Sequence, residues 1–127
     1  MRDFCDFARE FGHAADFAII YVEEAHAADE WAFDWWGHSR ISSHKELSDR
    51  AAAARVLLAE LEQRDAAGVA AVYLDSMTNA TSIAFGAAPE RLAVLVDGRV
   101  AWLGGPGPFQ YSVPAAREAL LGLLRAP

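Results

Sequence analysis

Phe4, Phe7, Ala8 and Phe11 recur at intervals of three and four, with Arg2, Asp3, Asp6, Arg9 and Glu10 between them. That period predicts an amphipathic helix over residues 2–13, with Gly12 as its stop. The pattern then changes. Residues 16–22 are apolar nearly throughout, which predicts a strand buried on both faces, as in parallel sheet. Residues 23–43 show no period, yet they carry Trp31, Phe33, Trp35, Trp36 and His38. A loop of that length inside a domain is usually functional. Ser43, with Glu46 three residues on, predicts a capping box that opens a helix over 44–64, rich in Ala, Leu, Glu and Arg. A short strand is expected over 69–74, and a short helix over 78–85 ending at Gly86. Strands over 92–96 and 100–103 flank Asp97-Gly98, the strongest short-range hairpin signal. Gly104-Gly105-Pro106-Gly107-Pro108 is a turn cluster. Ser112 then caps a last helix that carries Pro114 in its first turn and runs to about residue 124.

The predicted order is α–β–α–β–α–β–β–α. Alternation followed by a hairpin and a closing helix predicts an α/β fold: a mixed sheet flanked by helices. It resembles a thioredoxin-like fold with the additional helix and strand of peroxiredoxins. Against that fold, the opening strand, which is central in the sheet, is expected to be missing. The two strands that would flank it, 16–22 and 92–96, are expected to present unpaired inner edges.

Composition narrows the function classes. At 127 residues, the chain is one domain with room for a core. No apolar run reaches eighteen residues, so no membrane segment is expected, and the N-terminus lacks the apolar centre of a signal peptide. A net charge of −7 with scattered basic residues argues against nucleic acid. One cysteine forms no internal disulfide, which fits a reducing, cytoplasmic setting. No phosphate-loop pattern is present. His26, His38, His44 and Glu24 are numerous enough for a metal but match no compact ligand spacing, so no metal site is expected.

The densest chemistry follows the first strand, where Ala18-Ile19-Ile20-Tyr21-Val22 runs into Glu23-Glu24-Ala25-His26. Ligands and reactions gather at strand ends on the rim of an α/β sheet. His26 is the candidate proton donor, since imidazole changes charge near neutral pH. Glu24, two residues earlier on an extended segment, is expected to face the same side and support it. His44, placed at a helix N-terminus, is a candidate relay. Tyr21 is expected in the wall of the site, with core packing as the alternative. Trp31 and its aromatic neighbours are candidates for stacking on an aromatic ligand.

Four ordered blocks resemble the iodothyronine deiodinases. They are Ile19 to His26 with Asp29 and Trp31; His44 to Arg50 with Ala53 to Leu57; Leu74 to Asn79 with Ala84 to Ala87; and Pro89 to Gly98 with Gly104 to Tyr111. Together they cover nearly the whole chain. Ala27, Ala28 and Glu30 depart from the family's usual residues. The resemblance implies an oxidoreductase that removes iodine reductively from a phenolic aromatic substrate, with a selenol or thiol nucleophile and a thiol reductant as co-substrate. No cofactor is implied. His26, Glu24 and His44 would serve catalysis; Arg91, whose guanidinium suits a carboxylate, would bind substrate with Tyr21 and Trp31. Glu90 occupies the place of the thioredoxin cis-proline; Pro89 stands one position early, and no cis bond is assigned there. The nucleophile is expected upstream of Met1, as an in-frame UGA in the gene would explain, and the chain alone is expected to be inactive and only marginally stable. Cys5, inside the first helix, is expected to be a packing residue. Family members are often membrane-anchored homodimers; the resemblance implies a homodimer, with any anchor upstream. Two other classes stay open: a non-catalytic thioredoxin-like binding or structural module, and a fragment of a peroxiredoxin-like thiol peroxidase.

Overall fold

The computed structural model describes residues 1–30 and 41–126. The predicted element order is present: α1 (Arg2–Phe11), β1 (Ala18–Tyr21), α2 (Leu47–Gln63), β2 (Ala71–Leu74), α3 (Ala80–Phe85), β3 (Ala93–Val96), β4 (Arg99–Leu103) and α4 (Val113–Arg125). Most elements are shorter than the sequence suggests, because helix and strand ends give way to turns.

β1 and β2 pair in parallel, Ala18 against Ala71 through Tyr21 against Leu74. Two further bonds extend the ladder, from Ala71 N–H to Phe17 O and from Asp75 N–H to Tyr21 O. β3 and β4 form an antiparallel hairpin with a register shift after Val94. Asp97 and Gly98 turn it with φ of 51° and 72°, the left-handed backbone a two-residue turn needs. The structure is therefore a mixed α/β fold of two small sheets flanked by helices.

One apolar cluster joins both sheets. Phe4, Phe7 and Phe11 from α1 meet Val113, Ala116 and Leu120 from α4; Phe17 and Ile19 approach from the first sheet, Leu92, Val94 and Trp102 from the second. Phe7 meets Phe11 and Phe17 edge-on, with ring centroids at 5.4 and 5.0 Å, a favoured geometry for aromatic pairs. A second cluster holds Cys5, Leu61 and Ala66. Cys5 is 2 % exposed, as a packing residue should be.

Three expectations need correction. β1 is not buried on both faces: exposure alternates along it and Ile20 is 38 % exposed. Ile19 packs against the apolar clusters, whereas Ala18 and Ile20, pointing to the other face, do not. Ser43 does not cap α2. Its backbone N–H and hydroxyl both donate to Asp29, and the capping box forms three residues later, between Glu46 and Asp49. His44 consequently precedes the helix rather than beginning it. The Ala88–Pro89 peptide, to which the sequence assigned no isomer, is cis, as is Gly107–Pro108. The closing helix matches its prediction: Ser112 accepts from Ala115 N–H, with Pro114 in the first turn.

Candidate active site

Parallel pairing puts the carboxyl ends of β1 and β2 side by side, and the polar residues that follow each strand converge there. Tyr21, Glu23, Glu24 and His26 come from the β1 end. Asp75, Ser76 and Asn79 come from the β2 end. The amino-terminal end of α2 brings His44 and Arg50 to the same place.

Arg50 organises this corner. It is 2 % exposed and its fork is spent on four acceptors. Nη1 donates to the carbonyls of Asp75 at 3.1 Å and Ser76 at 2.6 Å, Nη2 to Asn79 Oδ1 at 2.9 Å, and Nε to His44 Nδ1 at 3.3 Å. Asn79 in turn donates to Glu23 Oε2 at 2.7 Å, which ties Glu23 to the turn after β2. The Asp75 carboxylate accepts backbone N–H bonds from Ser76, Thr81 and Ser82. Burial by itself would raise its pKa; the donors of Ser82, Thr81 and Ser76 outweigh burial and hold it below the usual carboxylate range. Thr81 and Ser82 lie in the first turn of α3, where N–H groups lack intrahelical partners. Asn79, at the formal cap position, has φ of 55° and makes no side-chain cap bond. Asp75 does that work from outside the helix.

Tyr21 donates its hydroxyl to Glu24 Oε2 at 2.7 Å. Burial and the adjacent Glu24 carboxylate push the Tyr21 pKa well above the ordinary tyrosine range. The Tyr21 ring stands 6.0 Å from the His44 ring, tilted by 42°. His44 Nε2 is buried and has no hydrogen-bond partner among the described residues. His26 is exposed beyond Glu24. A clasp fixes the approach to His44: Ala28 N–H donates to Ile41 O at 2.9 Å, and Asp29 takes both Ser43 donors, the backbone N–H first, which lower its pKa.

The structure thus brings together Tyr21, Glu24 and His44, with His26 at the end of the same segment. Trp31, like Phe33, Trp35, Trp36 and His38, lies outside the described residues. Arg91 stands before β3, its Nε bonded to Gly104 O at 2.6 Å and its Nη1 to Phe85 O at 2.9 Å. No group of three or more His, Cys, Asp or Glu able to hold a metal ion occurs among the described residues. No described helix is long and apolar enough to cross a membrane.

Sequence reasoning gave no role to Arg50, Asp75 or Asn79. A signal for Arg50 was present: it shares one helical stripe with Ala53, Ala54, Leu57 and Leu61, so the period places a guanidinium on an apolar face.

Comparison with known proteins gives one family. The profile described as iodothyronine deiodinase matches residues 1–122. The chain is 39 % identical over 120 residues to a type II iodothyronine deiodinase of Petromyzon marinus, covering 94 % of this chain and 40 % of that protein. It is 41 % identical over 111 residues to a type I iodothyronine deiodinase of Xenopus laevis, covering 87 % and 41 %. It is 39 % identical over 120 residues to a thyroxine 5-deiodinase of Bos taurus, covering 94 % and 38 %. The chain spans about two fifths of the length of these curated relatives.

Proposed function

We propose that this chain, which belongs to the iodothyronine deiodinase family, forms the proton-donating half of a site that removes iodine reductively from a phenolic aromatic ring. The observation that carries the reading is the convergence of Tyr21, Glu24 and His44 at one sheet rim, with His26 closing the same segment. A histidine can deliver a proton near neutral pH, and the Glu24 carboxylate supplies negative charge nearby.

In the proposed reaction a selenolate or thiolate attacks iodine. The chalcogen–iodine bond forms as the carbon–iodine bond breaks, and the electron pair left on the ring carbon takes a proton from His26. One molecule of a thiol reductant then displaces iodide, and a second releases the chalcogen as the thiols leave oxidised to a disulfide. Cys5 is buried against Leu61 and Ala66, so we assign the nucleophile to a segment preceding Met1. A strand from that segment, placed between β1 and β3, would join two ladders that already share the α1–α4 cluster. This is the thioredoxin-like arrangement we propose for the whole enzyme. Tyr21 and Trp31 would form the aromatic wall. Pairing of Arg91 with a substrate carboxylate falls to its Nη2 end, since Nε and Nη1 already serve Gly104 and Phe85.

The test is iodide release from thyroxine with dithiothreitol, using protein made from the full reading frame that contains this chain. Turnover is expected, and His26→Gln should lower it by about 10²–10⁴-fold, the usual weight of a positioned general acid. Thyroxine-dependent turnover that survives His26→Gln unchanged would remove the proton-donor assignment. Absence of any iodide release from the folded parent would remove the reaction.

A further inference from the structure

His44 has two ring nitrogens in opposite situations. Nδ1 faces the Nε–H of Arg50 at 3.3 Å, whereas Nε2 is buried with no partner among the described residues. A guanidinium has five N–H donors and no acceptor, and it keeps its proton at any pH a folded protein meets. A nitrogen that accepts from it carries no hydrogen. In this geometry the ring proton is therefore on Nε2, and the tautomer is set by the bond on the other side of the ring.

We infer that Arg50 is a positioning residue that fixes His44 in its Nε2–H form, so that the one proton the ring holds is presented on the unspent side of the imidazole that neighbours Tyr21. The meaning of this proton, though not its location, rests on the deiodination reading: it is the donor available to an acceptor that forms in the site.

The way Arg50 is held supports the assignment. An arginine free to swing would fix nothing. Here Nη1 is tied to two carbonyls after β2 and Nη2 to Asn79, at 2.6–3.1 Å. Those bonds leave Nε one direction to point, towards His44. The receiving carbonyls are held in turn, since Asp75 and Ser76 form the turn that the Asp75 carboxylate binds through the Ser76, Thr81 and Ser82 N–H groups. His44 is itself tethered one residue earlier, where Ser43 is bonded twice to Asp29. A buried polar atom without a partner costs free energy in a protein that does nothing with it. Nε2 is such an atom among the described residues, on a ring whose centroid stands 6.0 Å from that of Tyr21.

Nitrogen-15 spectroscopy of the chain labelled at histidine and arginine reads the tautomer without any substitution. Four histidines make the spectrum tractable. The expected result for His44 is Nδ1 in the range of a bare acceptor nitrogen, Nε2 in the range of a protonated one, and a nitrogen–nitrogen coupling across the bond between Arg50 Nε and His44 Nδ1. Arg50→Lys retains the charge and can still reach the Asp75 and Ser76 carbonyls, but it has no N–H at the Nε position. In that variant, folded by circular dichroism, the two His44 nitrogen shifts should move towards each other as the tautomers mix. A proton on Nδ1 in the parent, or an unmixed Nε2–H form in folded Arg50→Lys, would overturn the proposal. If the variant does not fold, the coupling in the parent decides: its presence upholds the proposal and its absence overturns it. None of these readouts involves iodide, so a failed deiodination assay would leave this inference standing, and the reverse.

Discussion

Replacing Asp75 with asparagine changes one atom, and the structure predicts a large effect. Asp75 is 2 % exposed. Its Oδ1 accepts from Ser76 N–H at 2.8 Å and Thr81 N–H at 2.9 Å, its Oδ2 from Ser82 N–H at 2.8 Å. Asparagine keeps one oxygen for the first two donors, without its charge. The new amide nitrogen faces the Ser82 N–H, a donor against a donor, at a residue that is 5 % exposed. An orphaned buried donor costs about 1–3 kcal/mol, and losing charge assistance on the remaining bonds costs about 1 kcal/mol each. The expected loss is about 3–5 kcal/mol, or a melting point lower by roughly 10–20 °C for a domain of this size. Urea unfolding followed by tryptophan fluorescence measures it directly. The pH dependence supplies a second check. Because folding lowers the Asp75 pKa, its contribution is fully present above the unfolded-state value near ~3.9. It is lost as pH falls through the lower folded value. The gap between parent and variant should hold steady above about pH 5 and close in acid. A variant within about 0.5 kcal/mol of the parent at neutral pH, or a gap that widens in acid, would refute the account of Asp75 as the surrogate cap of α3.

Other outcomes follow from the same structure. Phe7→Ala should destabilise by about 3–5 kcal/mol in urea unfolding, because Phe7 lies in the cluster both sheets share. Gly86→Ala should cost about 1–2 kcal/mol by the same measurement: φ is +57° there, and an added Cβ would stand 2.9 Å from Arg91 Nη1. In alkaline titration by tyrosinate absorbance, Tyr21 should ionise late, because burial and Glu24 raise its pKa, and burial with the charge of Glu90 pushes Tyr111 up to about 12. Both raised values favour the folded state below the unfolded value near ~10, and that stability is lost as pH rises through the folded values. Early ionisation of both tyrosines in the folded chain would contradict the burial of their hydroxyls.

Local chemistry was legible in the sequence where it acts over a few residues. The phenylalanine period of α1, the Asp97-Gly98 turn and the Ser112 cap all state their structure in short windows. Ser43 misled because a serine three residues before Glu46 satisfies the cap pattern, while Asp29, fourteen residues earlier, competes for the same donors. β1 misled because an apolar run gives composition, not the number of neighbours a strand will have. At the site, Glu24 and His26 follow from a strand ending in titratable residues. Arg50 does not, because its role is fixed by bonds spanning 25 to 29 residues, two of them to backbone carbonyls that carry no sequence signature; Asp75 does not, because it caps α3 from four residues before the formal cap position.

The clasp of Ala28 with Ile41 and of Asp29 with Ser43 has a consequence for how this protein can change. It holds Ala28 and Asp29 against Ile41 and Ser43 by one backbone bond and two Asp–Ser bonds. Once two points of a chain are joined, doubling the number of residues between them costs only about 0.6 kcal/mol of closure entropy. A change of length between Asp29 and Ile41 is therefore expected to leave the frame of His44 and Arg50 in place. A library confined to residues 31–40 tests this directly: its folded variants should keep the Asp29–Ser43 bonds and the placement of His44 before α2.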